Sequence, residues 1–247
     1  MEFADRVILV TGASSGLGRH AARALALAGA TVVLLGRHEK RLDGVYDDIL
    51  SAGGAQPVIM PFDLAEADDP RFNALAATLA HQLGRLDGIL HSAAQFIKLS
   101  KLEHQRLKHW EAAFATNLMA PFALTRACLP LLEGAEDAAV LFSAEEHGLN
   151  PGPYWGGFGL SQAALIALAE LFAAEHQDNP NLRFNVLIPG PVSSPMRHRT
   201  HPGEVPENLP KPESLLPFYL TWLGPQSRGR SGEVIRPDLG YDPSRQD

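Results

Sequence analysis

The stretch from Arg6 to Gly18, RVILVTGASSGLG, decides the fold of this chain. Its first half is an apolar, β-branched run typical of a strand covered on both faces. Its second half is rich in glycine, which permits a tight turn and lets backbone N–H groups approach a pyrophosphate at a helix start. The stretch therefore predicts a strand, a phosphate-binding turn and a helix in succession, although a tight turn alone would also explain the glycines.

Short apolar runs continue to alternate with longer helical patterns along the chain. This alternation predicts βαβ units with right-handed crossovers. The predicted fold class is α/β, a single-domain Rossmann-type doubly wound parallel sheet with helices on both faces. Strands are predicted at 6–11, 31–35, 57–61, 88–91, 138–142, 184–188 and 233–235, and helices at 15–28, 38–52, 70–83, 103–133 and 158–177.

Composition limits the function classes. The chain has 247 residues, of which 45% are hydrophobic and 20% charged, as expected for one globular domain spanning 1–247. The net charge of −7 argues against nucleic-acid binding, and Cys128, the sole cysteine, excludes an internal disulfide. The longest apolar run, 25–35, is interrupted by Gly29 and Thr31, so no membrane span is expected. Without a secretory pattern at the start, a cytoplasmic protein is predicted.

The stretch 189–230 differs in composition from the rest of the domain. Eight of the 19 prolines lie between Pro189 and Pro217. Because proline lacks an N–H and clashes with the preceding turn, this part is predicted to be irregular and not helical. It is either a solvated loop or a substrate lid over a cleft, since long structureless insertions are often functional. His198 and His201 lie here without a third ligand, so no metal site is predicted.

The residues after the second predicted strand bear on cofactor choice. A carboxylate there would bind a ribose 2′-OH and favour NAD, whereas this chain has Gly36-Arg37-His38. Lys40 and Arg41 follow. A guanidinium suits a 2′-phosphate, so NADP is the predicted cofactor and NAD is less favoured. Arg37 could instead be a solvated residue at a helix start.

Together these features resemble the short-chain dehydrogenase/reductase family over nearly the whole chain. The family motif T-G-x-x-x-G-x-G matches Thr11–Gly18, and Asp63-Leu64 resembles the adenine-pocket acid. Ile188–Met196 resembles P-G-x-V-x-T-x-M, whose backbone and hydroxyl hold the nicotinamide carboxamide. The resemblance implies a cofactor site made of Gly12, Ser14, Ser15, Gly16, Leu17, Gly18, Arg37, Asp63, Leu64, Ser92, Ala93, Ala94, Pro189, Gly190, Val192 and Ser194.

Asn117, in Thr116-Asn117-Leu118-Met119, resembles the asparagine of the family's catalytic helix. Pro121 cannot donate a hydrogen bond to the carbonyl four residues before it, so the Asn117 carbonyl is predicted to be free. The resemblance implies that this carbonyl holds a water of the proton relay.

Three positions depart from the family's catalytic pattern. The Y-x-x-x-K motif is Phe158 to Gln162, and the serine position, thirteen residues before Phe158, holds Glu145. Hydride transfer to a carbonyl leaves an alkoxide that needs a proton, which the family's tyrosine supplies. Phenylalanine has no such proton, and general acid catalysis is worth roughly 10²–10⁴ in rate. Standard family catalysis is therefore not expected. The family's N-N-A-G is also changed, to His91-Ser92-Ala93-Ala94.

Other groups near these positions could replace the missing acid. Glu145, Glu146 and His147 form a titratable cluster after a strand, and Ser143 and Tyr154 lie close by in sequence. The two glutamates could equally be solvated loop residues. Three hypotheses follow: an NADP(H)-binding sensor, regulator or partner subunit without standard catalysis; an active NADP(H)-dependent oxidoreductase of carbonyls or alcohols that uses Glu145, His147 or Tyr154; and a structural partner with an empty cleft.

The pattern Leu107, Trp110, Phe114 and Leu118 has helical spacing and is a core face or a dimer face. The resemblance implies pairing through this helix and the helix near Phe158, which predicts a homodimer or homotetramer. The cluster Arg228-Gly229-Arg230 is too small for a nucleic-acid site.

Overall fold

A seven-stranded parallel sheet forms the centre of the protein, which a computed structural model describes over residues 2–241. Its strands run in the order β3-β2-β1-β4-β5-β6-β7, and every neighbouring pair is parallel. The predicted single-domain, Rossmann-like α/β fold is confirmed. The strands are β1 (Val7–Thr11), β2 (Thr31–Gly36), β3 (Val58–Pro61), β4 (Gly88–His91), β5 (Ala138–Ser143), β6 (Leu182–Leu187) and β7 (Val234–Ile235).

Residues 2–241 contain eight α-helices, six of which cover the two faces of this sheet. One face packs against α1, α2 and α8, and the other against α3, α5 and α6. The helices are α1 (Gly16–Leu27), α2 (Glu39–Ser51), α3 (Asp69–Leu83), α4 (Leu107–Phe114), α5 (Ala120–Glu133), α6 (Gly156–Glu175), α7 (Pro195–Thr200) and α8 (Leu216–Leu223).

The strand order reverses between β1 and β4, and this is where the site is built. Thr11 pairs with His91 in the register of these two strands, so both chains leave the sheet at the same level. The Thr11 hydroxyl oxygen accepts hydrogen bonds from the N–H groups of Ser92 at 3.0 Å and Ala93 at 3.1 Å. These bonds hold the loop after β4 against the glycine turn after β1, at the switch point where open α/β sheets bind ligands.

The prediction of one helix over 103–133 is wrong. A 3₁₀ turn at Leu102–His104 precedes α4, and a π-helical turn at Ala115–Met119 separates α4 from α5. The N–H of Ala120 donates to the carbonyl of Ala115, five residues back. Pro121 explains the widening, because it has no N–H with which to close the regular α-helical bond.

Helix α6 corrects the expectation that no apolar run approaches the length of a membrane span. Among the helices within residues 2–241, α6 is long enough and apolar enough to cross a membrane, judged by length and composition alone. Half of the tested window is nevertheless buried within the protein, and Leu165, Ala169 and Phe172 belong to the core under the sheet. Helix α6 is therefore a core helix.

The prediction that the proline-rich stretch is irregular and not helical is wrong, because two helices, α7 and α8, lie in it. Pro195 and Pro217 lie in the first turns of α7 and α8, where the missing N–H would have no partner inside the helix. The Ser194 hydroxyl oxygen caps α7 by accepting from the N–H of Arg197 at 3.1 Å. Between the two helices the chain forms 3₁₀ turns at Pro206–Asn208 and Pro212–Leu215.

Candidate functional site

A cleft of about 440 Å³ lies beside the glycine turn, at the carboxyl ends of the strands. All sixteen residues that the sequence assigned to a cofactor line this one cleft: Gly12, Ser14, Ser15, Gly16, Leu17, Gly18, Arg37, Asp63, Leu64, Ser92, Ala93, Ala94, Pro189, Gly190, Val192 and Ser194. Residues from five separate segments of the chain therefore converge on a single site.

The glycine turn has a backbone that favours glycine. Gly12 and Gly16 have φ angles of +67° and +53°, in the left-handed region. A Cβ on Gly12 would lie 2.9 Å from the backbone N and Cα of Ala93, and a Cβ on Gly18 would lie 2.6 Å from the Gly12 carbonyl oxygen. Helix α1 then begins at Gly16 without a side-chain cap. An uncapped helix start beside bare backbone fits the pyrophosphate of a dinucleotide.

Two free arginines mark the end of the cleft beyond β2. Arg37 and Arg41 line the cleft, are exposed, and form no ion pair with the part of the chain that is described. Asp63 lines the same end and accepts a hydrogen bond from the Ala65 N–H at 2.9 Å. This end can bind a phosphate on a ribose, because two guanidinium groups are available to it.

Asn117 lies behind the cleft wall and is 1% exposed. Its Oδ1 accepts from the N–H of Gln95 at 2.6 Å, and its Nδ2 donates to the Gln95 carbonyl at 3.2 Å and to the Ser161 Oγ at 2.9 Å. The side chain thus ties the loop after β4 to helix α6. That the backbone carbonyl of Asn117 is free of a helical hydrogen bond stays a prediction.

His91 ends β4 where the family pattern has an asparagine. Its Nε2 lies 2.9 Å from the Thr125 Oγ1, and its ring stacks on Phe142 with centroids 4.8 Å apart. Burial lowers the pKa of His91 to about 3. The imidazole is therefore neutral at physiological pH and serves as a packed polar group.

Phe158 and Gln162 line the cleft from helix α6. The Phe158 ring is 7% exposed and packs edge-on against Phe96, with centroids 5.2 Å apart, and beside Trp155 at 5.9 Å. Gln162 is 2% exposed. Neither side chain ionises, so this wall of the cleft offers no group with an acid proton.

Glu145 faces the cleft with His147 behind it. The Glu145 Oε2 accepts from the N–H of His147 at 2.7 Å and lies 2.8 Å from the His147 Nδ1. The imidazole also stacks on Trp155, with ring centroids 3.7 Å apart. These contacts fix the direction of the carboxylate at the position that corresponds to the family's serine.

The other candidate acids are placed differently. Glu146 lines the cleft but pairs with Arg236, and Ser143 lines it from the end of β5. Tyr154 is 50% exposed and is not among the residues that line the cleft. Its left-handed φ of +77° is unusual for a residue with a side chain. The structure therefore does not bring Tyr154 to the site.

Sequence reasoning missed the two arginines of α7. Arg199 Nη2 donates to the carbonyls of Phe96 at 2.9 Å and Ile97 at 3.1 Å, and Arg197 forms a bidentate ion pair with Glu204. Both arginines line the cleft. An R-x-R pattern directly after the nicotinamide-type segment was the signal available for them. The bonds of Arg199 connect the proline-rich stretch to the loop after β4.

The histidines of the proline-rich stretch bond to neighbouring hydroxyls. His198 Nε2 lies 3.2 Å from Ser193 Oγ, and His201 Nδ1 lies 2.9 Å from Thr200 Oγ1. Burial, reinforced by the nearby Arg197, lowers the pKa of His201. Within residues 2–241 there is no group of three or more His, Cys, Asp or Glu placed to hold a metal ion.

Comparison with known proteins gives a consistent result. The family model of short chain dehydrogenase matches residues 6–204. The uncharacterized oxidoreductase YciK of Escherichia coli (strain K12) is 35% identical over 239 residues, which are 97% of this chain and 94% of that protein.

Two solved structures extend the comparison. A short chain dehydrogenase from Shigella flexneri 2a str. 301, complexed with NADP, gives a TM-score of 0.92 at 34% identity and covers 95% of this chain and 98% of its own. A short chain dehydrogenase from Escherichia coli CFT073, complexed with NADPH, gives a TM-score of 0.92 at 35% identity and covers 95% and 97%.

Proposed function

The chain belongs to the short-chain dehydrogenase/reductase family, and from that premise we propose that it binds NADP(H) without performing the family's tyrosine-dependent carbonyl reduction. In this proposal the protein acts as a sensor, a regulator or a partner subunit. Glycine-turn backbone groups hold the pyrophosphate, Arg37 and Arg41 hold the 2′-phosphate, and the segment Pro189–Ser194 faces the nicotinamide. When bound, the reduced dinucleotide supplies a hydride.

The cofactor proposal is supported by the fit of the glycine turn and by charge. Side chains at Gly12 or Gly18 would collide with backbone atoms, so at these two positions the wall of the cleft consists of backbone alone. The two exposed guanidinium groups beyond β2 lack protein partners in the described range, as a site for an anion requires. Two relatives with the same fold are complexed with NADP and NADPH.

One observation carries the proposal that standard catalysis is lost: a buried phenylalanine ring occupies the tyrosine position. Phe158 is held by Phe96 and Trp155 at the cleft wall. Gln162, at the lysine position, cannot lower the pKa of a neighbouring acid by its charge. An alkoxide formed in this cleft would lack the family's proton donor.

Fluorescence titration with NADPH and NADH tests the binding part of the proposal, because NADPH should saturate the protein at lower concentration. A panel of ketones and aldehydes tests the catalytic part, and no turnover is expected. The triple variant Glu145→Ser, Phe158→Tyr and Gln162→Lys should gain carbonyl reductase activity. A triple variant that folds and binds NADPH but stays inert would contradict the assignment of these positions. Absence of both cofactor binding and a cofactor-dependent rise in melting temperature would favour a structural partner with an empty cleft.

A second candidate is an active oxidoreductase of carbonyls or alcohols in which Glu145, assisted by His147, is a non-standard acid. The 2.8 Å contact between Glu145 Oε2 and His147 Nδ1 at the cleft favours it. Turnover of a carbonyl substrate by the unmodified chain, abolished by Glu145→Gln, would establish this candidate. Turnover that persists in Glu145→Gln would exclude this glutamate as the acid.

The residues 189–230 are proposed to act as a substrate lid, because α7 lines the cleft and Arg199 bonds to the loop on its far side. A cytoplasmic homodimer or homotetramer is also proposed. The homo-oligomer is supported by a group of exposed apolar side chains on α4, α5 and α6 and in the π turn before α5: Leu107, Met119, Phe122, Leu160 and Leu171. Light scattering coupled to size exclusion measures the oligomeric state.

A further inference from the structure

A cation without a carboxylate partner lines the cleft from α7. Arg199 lines the cleft and forms no ion pair within residues 2–241. Its neighbour Arg197 lines the same cleft but is paired with Glu204 through two hydrogen bonds, of 2.7 and 2.5 Å. A guanidinium stays protonated throughout the physiological pH range. Arg199 therefore brings to this part of the cleft a positive charge that no ion pair engages in the described chain.

Backbone carbonyls and an aromatic ring hold the Arg199 side chain in place. Its Nη2 donates to the carbonyl oxygens of Phe96 at 2.9 Å and Ile97 at 3.1 Å, and its guanidinium carbon lies 5.3 Å from the centroid of the Phe96 ring. A carbonyl and a ring carry no net charge, so they orient the guanidinium without neutralising it. A side chain that is already oriented loses less conformational freedom when it binds an anion.

The rest of this guanidinium is available to a ligand. The Arg199 Nε and Nη1 donate to no acceptor within residues 2–241, and the side chain is exposed. Their N–H groups can donate to the oxygens of a carboxylate. Such bonds between two charged groups are roughly twice as strong as bonds between neutral groups.

Phe96 connects Arg199 to the position of the family's tyrosine. The Phe96 ring that contacts the guanidinium also packs edge-on against Phe158, with ring centroids 5.2 Å apart. Met196, three residues before Arg199 on α7, lines the cleft and packs against the same aromatic group. An anionic group held by Arg199 thus lies within the length of one small molecule of Phe158.

The nearby acids do not occupy Arg199. Glu146 is paired with Arg236. The Glu145 Oε2 accepts from the N–H of His147 at 2.7 Å and lies 2.8 Å from its Nδ1. Within residues 2–241 no hydrogen bond or ion pair joins either glutamate to Arg199. Since Glu145 would repel an anion in the same cleft, the attraction has to come from Arg199.

We propose that the substrate end of the cleft binds an organic carboxylate, whose oxygens accept hydrogen bonds from the Nε and Nη1 of Arg199. The apolar part of the ligand then extends towards Phe158. This proposal rests on the proposed function and deepens it, because it names the class of ligand that an NADP(H)-binding sensor would recognise beside its cofactor. Arg199 acts here as a binding residue and takes part in no proton transfer.

Ligand-observed NMR titration of the full chain tests the site with two probes of the same length, pentanoate and its neutral match pentanamide. The chain is saturated with NADPH, whose reduced nicotinamide ring carries no positive charge that could itself attract the anion. We expect pentanoate to bind at least about tenfold more tightly, which corresponds to about 1.4 kcal/mol. Equal binding of the two probes would overturn the proposal.

Variants locate the preference, which is measured as the ratio of the two dissociation constants. Arg199→Gln also removes a contact of α7, but a shift of that helix affects both probes alike, so the ratio reports the charge. The ratio should fall to about one in Arg199→Gln and should be largely retained in Arg199→Lys, which keeps the charge. A preference that persists in Arg199→Gln, or is lost in Arg199→Lys, would refute the role of this residue.

Two further variants test the surroundings of Arg199. Lys98→Gln removes an equal charge from an exposed position one residue after Ile97 and outside the cleft, and it should preserve the preference. Glu145→Gln removes a like charge from the cleft and should not lower the preference. A loss of the preference in Lys98→Gln would assign it to the general charge of this surface, and a loss in Glu145→Gln would contradict the proposed position of the anion.

Titration with NADPH, together with titration of the cofactor-free chain with both probes, separates this inference from the proposed function. Saturable NADPH binding without a preference for pentanoate would defeat the carboxylate site alone. A preference for pentanoate in a chain that does not bind NADPH would defeat the proposed function alone.

Discussion

The two ends of the cleft follow different rules. At the glycine turn the backbone itself forms the wall, and close approaches such as Gly18 to the Gly12 carbonyl leave no space for side chains. At the substrate end the wall includes the side chains of Glu145, Phe158 and Gln162. In the proposed function, backbone geometry determines cofactor binding, whereas side chains determine the chemistry. The side chains of the substrate end can therefore differ between proteins that share the backbone of the glycine turn.

The largest predicted effect is a loss of NADPH binding on substitution at the glycine turn, and it tests the difference between the two ends of the cleft. Gly12→Ala forces a Cβ to within 2.9 Å of the Ala93 backbone at a left-handed φ, so NADPH binding should fall below detection. NADPH fluorescence titration measures the loss, and thermal unfolding reports whether the variant folds. Gly44→Ala, in α2 with nothing within 4 Å of the added Cβ, is the matched control and should bind NADPH normally. Normal binding by Gly12→Ala would show that the turn is not part of the cofactor site.

The next prediction concerns His91, the buried last residue of β4, directly before the cleft-lining Ser92. Its folded-state pKa of about 3 is below the unfolded value, so the unfolded chain takes up the proton first as the pH falls. The free energy of unfolding contributed by His91 is thus present above about pH 6.5 and should decline by about 1.4 kcal/mol per pH unit below it. Denaturant unfolding from roughly pH 7 down to roughly pH 4 measures the slope, because most of this range lies between the unfolded and folded pKa values of His91.

His91→Gln removes the titrating group while keeping a polar side chain near Thr125. The slope of the free energy of unfolding against pH should become shallower by about 1.4 kcal/mol per pH unit, which corresponds to the uptake of one proton. His81→Gln replaces an exposed histidine of α3 and is the control: it shows how the slope of the free energy of unfolding against pH responds when a histidine outside the core is replaced. An unchanged slope in His91→Gln would mean that His91 titrates in the native protein, as a functional acid would.

A smaller effect should sharpen the comparison at the cofactor end. Arg37→Ala removes one of two guanidinium groups available to a 2′-phosphate and should weaken NADPH binding about tenfold while NADH binding changes little. The ratio of the two dissociation constants is the measurement. Arg23→Ala, exposed on α1 and outside the cleft, should leave that ratio unchanged. An equal loss for both cofactors would place Arg37 away from the 2′ position.

The difference between the two ends also explains how much could be predicted. The glycine spacing and the apolar runs are local patterns and predicted the sheet, while the family resemblance implied the sixteen residues that line the cleft. The π turn at Ala115–Met119 required knowing which bond Pro121 removes within a long helix. Helix α7 was missed because prolines were treated as helix breakers, although Pro195 is in the first turn. The partners of Glu145, and the distance of Tyr154 from the cleft, depend on side-chain packing that spacing does not encode.

The smallest predicted effect concerns the contact that joins α7 to the substrate end. Arg199→Ala removes two hydrogen bonds to the carbonyls of Phe96 and Ile97, but the side chain is exposed, so NADPH affinity should fall by no more than about threefold. Hydrogen exchange of the α7 amides should accelerate in the same variant, because the helix loses a bond to the loop across the cleft. His198→Ala, exposed on the same helix, should change neither quantity. If Arg199→Ala left the exchange of α7 unaltered, this arginine would not hold the stretch 189–230 over the cleft, and the lid proposal would lose the contact on which it depends.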